Sequence, residues 1–145
     1  MPVRSTAKAV WEHDLIKGHG RVAGVSGGLP ETAVSWAART EASNGKTSPE
    51  ELLAAAHASC YCMALSAGLG RAGTPPERLN VTAEATFDKV GDAWTVTTMK
   101  LTVVGHVPNA TPEKFAEAAK AASEGCPISR ALKGNVRIEV DARLG

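Results

Sequence analysis

Thr47-Ser48-Pro49-Glu50-Glu51-Leu52-Leu53-Ala54-Ala55-Ala56-His57-Ala58-Ser59-Cys60-Tyr61-Cys62-Met63-Ala64-Leu65 is the stretch on which the fold turns. Its start carries three helix signals in register. Ser48 can cap the first turn, and Pro49 takes the first helical position, where no intrahelical amide bond is lost. Glu51, three residues after Ser48, completes a capping box. Alanine and leucine favour helix beyond it, and the run continues towards Gly68 and Gly70. About 20 helical residues span roughly 30 Å, the diameter of a small domain. Apolar residues lie nearly all round, which predicts burial on most sides. This is a central helix.

Upstream, three short strands are predicted. Ala7, Val10 and Trp11 belong to the first, and Arg21–Val25 forms the second between Gly18-His19-Gly20 and Ser26-Gly27-Gly28. Thr32–Arg39 reads as the third, with Val34, Trp36 and Ala38 on one face. Downstream, Val81, Ala83, Ala85 and Phe87 alternate with polar residues, and Gly91-Asp92 turns the chain into Trp94–Val104. Trp94 and Val96 share one parity while Met99, Leu101 and Val103 share the other, which predicts a bulge near Thr97-Thr98. A helix starts at Thr111-Pro112-Glu113 and a shorter one after Cys126-Pro127. Val136, Ile138, Val140 and Ala142 alternate in a last strand. The order β-β-β-α-β-β-α-α-β is α+β. No repeat or linker interrupts it, so residues 1–145 read as one domain.

Composition narrows the function. A chain of 145 residues can bury a core without disulfide staples. Sixteen Lys+Arg against fifteen Asp+Glu lack the basic excess of a nucleic-acid binder. Leu52–Leu69, broken by His57 and small polar residues, makes a poor membrane span, and residues 1–11 hold no secretory h-region. Three cysteines are odd in number and too few for an extracellular framework. A reducing, cytoplasmic setting follows, where a thiol matters for its reactivity. His13, His19 and His106 are scattered and no Cys-x2-Cys pair exists, so neither a metal nor another cofactor is expected.

Cys60 lies mid-helix among Ala56, Ala58, Ser59 and Ala64. It is either a small core residue or a nucleophile, and the second role needs a cation to ionise it, since the thiolate is the reactive form. Cys62, roughly 200° further round, faces elsewhere and reads as packing. Cys126, between Gly125 and Pro127, falls at the N-cap of the short helix. Amides there favour an anion, hence an attacking or leaving thiolate, though an incidental loop cysteine is the plainer reading. His57, three residues before Cys60, is either core or a base for acyl transfer. Glu50 is free at the second helical position once Glu51 serves the cap, and Arg39 is the nearest upstream cation. A dipole-stabilising Glu and a solvated strand-end Arg are the plainer readings of those two.

Together these pieces resemble the OsmC/Ohr family of thiol-dependent hydroperoxide reductases. Thr47 to Cys60 is similar to the family's first cysteine motif and Gly125-Cys126-Pro127-Ile128-Ser129 to its second, with the cysteines 66 residues apart. Trp11-Glu12 and Gly18-His19-Gly20 fit its N-terminal strands. His57 and an arginine placed as Arg39 favour the OsmC branch, with Arg21 the rival arginine; Ser48 stands where asparagine is usual. The resemblance implies an OsmC-like fold, antiparallel sheets around the central helix, and an intertwined homodimer with its sites at the subunit interface. It implies that Cys60, stabilised by Arg39, attacks an organic hydroperoxide and becomes a sulfenic acid. Cys126 then forms a Cys60–Cys126 disulfide that an external dithiol reduces, and Glu50 holds Arg39. Ten residues of helix rise put Glu50 about 15 Å from Cys60, so the Glu50 serving a given Cys60 is expected from a partner chain, or from a bend near Pro49. An apolar pocket including Leu53, Met63 or Phe87 would favour an organic peroxide. Two readings compete: a cysteine acyl hydrolase using Cys60 and His57, and a non-catalytic redox sensor or ligand carrier.

Overall fold

Three strands open the computed structural model, which describes residues 1–145: β1 (Ala7–Glu12), β2 (His19–Gly24) and β3 (Thr32–Val34). They pair antiparallel in that order. Residues 1–52 and residues 53–145 form two compact units. In the first, the predicted third strand stops early. Ser35 turns the chain instead, its hydroxyl accepting from the Ala38 amide at 3.0 Å, and caps the short helix α1 (Trp36–Thr40). Alanine at 37 and 38 favours that helix. Arg39 therefore stands in the last turn of a helix rather than at a strand end. A loop follows whose far end is tied back to β3, the Thr47 amide donating to the Ala33 carbonyl at 2.9 Å.

The long helix α2 runs over Pro49–Arg71, as its capping signals predict. Ser48 accepts from the Glu51 amide at 3.1 Å. Only that half of the capping box forms, because the Glu51 carboxylate accepts from the Thr47 hydroxyl instead. Burial departs further from expectation. Ala54, His57, Tyr61, Leu65 and Leu69 form one buried stripe, three or four residues apart. Ala55, Ala56, Ser59, Met63, Ser66 and Ala67 are exposed on the other side. Length and composition alone would let this helix cross a membrane; here its buried stripe meets protein.

In the second unit, β4 (Arg78–Val90) and β5 (Ala93–His106) form an antiparallel hairpin with a register shift at Thr86/Phe87. Thr86 faces Thr98 and Phe87 faces Val96, so Thr97 is the extra residue, within the expected bulge. Helices α3 (Pro112–Gly125) and α4 (Pro127–Leu132) then cross over to β6 (Arg137–Leu144). β6 pairs parallel to β5, so this sheet is mixed rather than antiparallel throughout. A helical crossover is the connection that parallel neighbours require. Tyr61, Leu65 and Leu69 of α2 pack with Leu101, Val103, Phe115, Ala122 and Cys126 in the main core. The Tyr61 hydroxyl fixes α2 against α3 by donating to the Ala119 carbonyl at 2.7 Å. This core sets the height of Cys60, one residue before Tyr61, against the start of α4.

Candidate active site

Two free thiols meet in the second unit. Cys60 Sγ and Cys126 Sγ are 3.0 Å apart, a non-bonded contact across 66 residues of sequence. The packing of Tyr61 fixes one. The other is placed where α3 ends and α4 begins, since Cys126 is the C-cap of α3 and the N-cap of α4. Pro127 at the first position of α4 starts that helix without an amide to satisfy. Cys126 is completely buried and Cys60 partly exposed.

Their ionisation differs in direction. Burial pushes the Cys60 thiol up, and the hydrogen bond to Cys126 and its charge push the same way against a bond from the Ile128 amide. Burial also acts to raise Cys126, but its polar neighbours outweigh it: the Cys60 thiol 3.0 Å away and the groups of Ser129 and Ile128 beside it pull the Cys126 thiol below its ordinary range. The two thiols shift in opposite directions, up for Cys60 and down for Cys126. Cys62 is raised by burial alone. It lines a different cavity, shared with Met63, Ser66 and Pro76.

His57 does not bond to Cys60. It is 0% exposed, and its Nε2 lies 2.7 Å from Ser129 Oγ. Burial holds the imidazole below its usual range, so it is neutral near pH 7. Its Nδ1 is buried without a hydrogen-bond partner. Ser129, itself 2% exposed and three residues after Cys126 in sequence, thus holds His57. The sequence reading missed Ser129 as a participant. The signal available was its spacing, three residues after an N-cap, where a side chain reaches back towards the cap.

The first unit holds the remaining pair. Arg39 Nε donates to Glu50 Oε1 at 2.8 Å and Nη2 donates to Oε2 at 3.0 Å, a bidentate fork on a carboxylate that is 7% exposed. The guanidinium also lies over the Trp36 ring, 5.9 Å from its centroid. Arg21, the rival arginine, is engaged with Glu12 and Glu31 at the surface. Leu53, Met63 and Phe87 do not gather into one pocket. Leu53 packs by Ala54 and Met99, Met63 is 70% exposed, and Phe87 stacks on Trp94 at 4.9 Å. No cluster of three or more His, Cys, Asp or Glu side chains able to hold a metal is formed.

Comparison with known proteins is consistent throughout. The profile of the OsmC-like protein family matches residues 42–141. Peroxiredoxin OsmC of Escherichia coli (strain K12) is 36% identical over 139 residues, 96% of each chain. The uncharacterized protein YmaD of Bacillus subtilis (strain 168) is 29% identical over 78% of each chain. Among solved structures, the organic hydroperoxide resistance protein OhrB of Bacillus subtilis superposes with a TM-score of 0.76 at 24% identity, over 95% of this chain and 98% of that one. An organic hydroperoxide resistance protein from Elizabethkingia anophelis gives 0.77 at 22% identity, over the whole of both chains.

Proposed function

This chain belongs to the OsmC-like protein family, and on that premise we propose that it is a thiol-dependent peroxidase reducing organic hydroperoxides to alcohols. The observation that carries the reading is the 3.0 Å approach of Cys60 and Cys126. The Cys60 thiolate attacks the terminal oxygen of the hydroperoxide. The O–O bond breaks, the alkoxide takes a proton and leaves as alcohol, and Cys60 becomes a sulfenic acid. The Cys126 thiolate then attacks the Cys60 sulfur, the S–O bond breaks, and hydroxide leaves to be protonated to water. An external dithiol reduces the disulfide and is itself oxidised, which suits a reducing cytoplasmic compartment. The named relatives support the substrate class: one is a peroxiredoxin, others organic hydroperoxide resistance proteins.

Arg39 is the cation assigned to the Cys60 thiolate and the peroxide, held by Glu50. The helix rise between Glu50 and Cys60 is about 15 Å, so the Arg39–Glu50 pair is assigned to Cys60 of a second copy in a homodimer. Two further observations support that dimer. The exposed side of α2 is almost wholly small or apolar, and Val10 and Trp11 of β1 stand exposed on a strand with no buried residue. The hydrolase alternative would need His57 as the base for Cys60, and its Nε2 is engaged by Ser129.

Intact mass after one equivalent of an alkyl hydroperoxide tests the reading. Loss of two hydrogens, absent in both Cys60→Ser and Cys126→Ser, is the expected result. An unchanged mass in the unaltered protein overturns it.

A further inference from the structure

We propose that the buried hydrogen bond between His57 and Ser129 is a clamp: it fastens the start of α4 to α2 and so keeps the Cys126 sulfur within reach of Cys60. The inference rests on the peroxidase reading above and makes His57 and Ser129 positioning residues for its resolving step. Two side-chain links join these segments, His57 Nε2 to Ser129 Oγ at 2.7 Å and Cys60 Sγ to Cys126 Sγ at 3.0 Å. His57 precedes Cys60 by three residues on α2, and Ser129 follows Cys126 by three residues at the start of α4. Residues spaced by three lie on neighbouring parts of one helix face, about 4.5 Å apart along the axis. The hydrogen bond therefore sits roughly one turn from the sulfurs, on the same side of both segments.

Cys126 needs such a hold. It begins α4 with no side-chain bond supporting the cap, and α4 is six residues long; a helix that short has little stability of its own. The Cys126 amide donates to the Ala122 carbonyl at 2.9 Å, and its carbonyl accepts from the Arg130 amide at 3.0 Å. Those bonds tie it to α3 behind and α4 ahead, not to α2. His57 supplies the tie to α2. Its ring is 0% exposed and Ser129 2% exposed, so water does not substitute for the bond. Nδ1 has no partner, which leaves Nε2 as the polar anchor of the ring. Opening the contact strands two buried polar atoms, which makes it costly to break.

The two links differ in permanence. Through the cycle the sulfurs pass from two thiols to a sulfenic acid and a thiol, then to a disulfide, and back. The His57–Ser129 bond contains no redox atom and holds in each of these states. Once Cys60 is a sulfenic acid, the Cys126 sulfur attacks it. The S–S bond forms as the S–O bond breaks, the Cys60 sulfur is reduced and the Cys126 sulfur oxidised, and the proton of Cys126 leaves with the hydroxide as water. Groups held about 3 Å apart react at a high effective molarity, and a misplacement of about 1 Å can cost on the order of 100-fold. The clamp acts on that distance.

Two measurements on the full-length protein test this. The first is its equilibrium with glutathione disulfide, in which two glutathione thiols are released as the Cys60–Cys126 disulfide forms. It gives an effective concentration for the pair without any peroxide. The second is rapid mixing of the reduced protein with one equivalent of tert-butyl hydroperoxide, following sulfenic acid with a 1,3-dione trap and disulfide by quenched mass. Ser129→Ala and His57→Leu are each expected to lower the effective concentration by about threefold to tenfold, the range that the net strength of one hydrogen bond allows. Disulfide formation should slow by the same factor relative to sulfenic acid formation. The double variant leaves neither partner stranded and is expected to match the single variants rather than multiply them; it carries the test where a single variant fails to fold. His57→Gln keeps a polar atom near the place of Nε2 and is expected to restore most of both values. An unchanged effective concentration in the double variant overturns the proposal. So do multiplied single effects, and so does equal slowing of both phases, the mark of general disruption. Absence of a disulfide after peroxide, with the glutathione equilibrium intact, sinks the peroxidase reading instead, so the two failures are distinct.

Discussion

Replacing Arg39 with alanine takes both donors of the bidentate fork from the Glu50 carboxylate, whose side chain is 9% exposed. A buried charge left without its partner typically costs about 3–5 kcal/mol. The guanidinium side of this pair is 32% exposed, so water reaches part of the vacated site and the expected cost falls to about 2–3 kcal/mol. The opposite change is milder. Glu50→Ala removes the buried charge, and an arginine already a third exposed can turn to solvent, for a loss of about 1 kcal/mol or less. The double variant Arg39→Ala/Glu50→Ala is then expected to cost less than the sum of the single variants by roughly 1.5–2 kcal/mol. Urea unfolding of all four proteins, at one fixed protomer concentration, measures the cycle. Equal costs for the two single variants, or strict additivity, would refute the view that burial of Glu50 governs this pair. The peroxidase reading adds a second expectation for Arg39→Ala: the sulfenic-acid-forming phase slows.

Tyr61 is the chain's one tyrosine, and burial, with the nearby Cys126 and Cys62 charges behind it, pushes its phenol well above the usual value. Its stabilising contribution is complete below the ordinary phenol range and is lost as pH rises above about 10. Ultraviolet titration should therefore show tyrosinate only as the protein unfolds; a reversible transition near pH 10 in folded protein would contradict this. Gly105→Ala would bring a Cβ within 2.6 Å of the Phe115 ring, in a core where Phe115 is fully buried. A lowered Tm corresponding to about 1–3 kcal/mol is expected, and an unchanged Tm would mean that the ring can give way. Cys62→Ala should retain full turnover of alkyl hydroperoxide with excess dithiol, because Cys62 faces a separate cavity; a large loss would place it in the cycle.

The helix α2 was legible because its start is encoded locally: a capping serine, a proline at the first position and a run of alanines need no tertiary context. The bulge at Thr97 was legible for a similar reason, since a parity change in the apolar residues of one strand is recorded in the sequence itself. Residues 32–39 were not. Their alternation of larger and small residues satisfies a strand, while Ser35 followed by Ala37 and Ala38 satisfies a capped helix. The choice rests on the Ser35 hydroxyl reaching the Ala38 amide. The parallel pairing of β6 and the exposed side of α2 lay further out of reach. Strand direction depends on where the α3–α4 crossover returns the chain. An apolar surface on a helix does not say whether its own chain or another one covers it.

The chemistry divides along the same line. Two cysteines in distinctive settings can be picked out one at a time, because each setting is a few residues long. What each sulfur does with its proton is a property of the pair and of a third group. The helix position of Cys60 supplies no help to its thiolate, and burial opposes it. Cys126 is opposed by burial as well and still ends on the acidic side, with the Cys60 thiol 3.0 Å away and Ser129 and Ile128 beside it. Residue 57 likewise arrives beside residue 129, a juxtaposition produced by folding α2 against the α3–α4 corner. Hence a reading of motifs reaches the pair of sulfurs. The direction in which each thiol shifts depends on neighbours that only the folded chain brings to it.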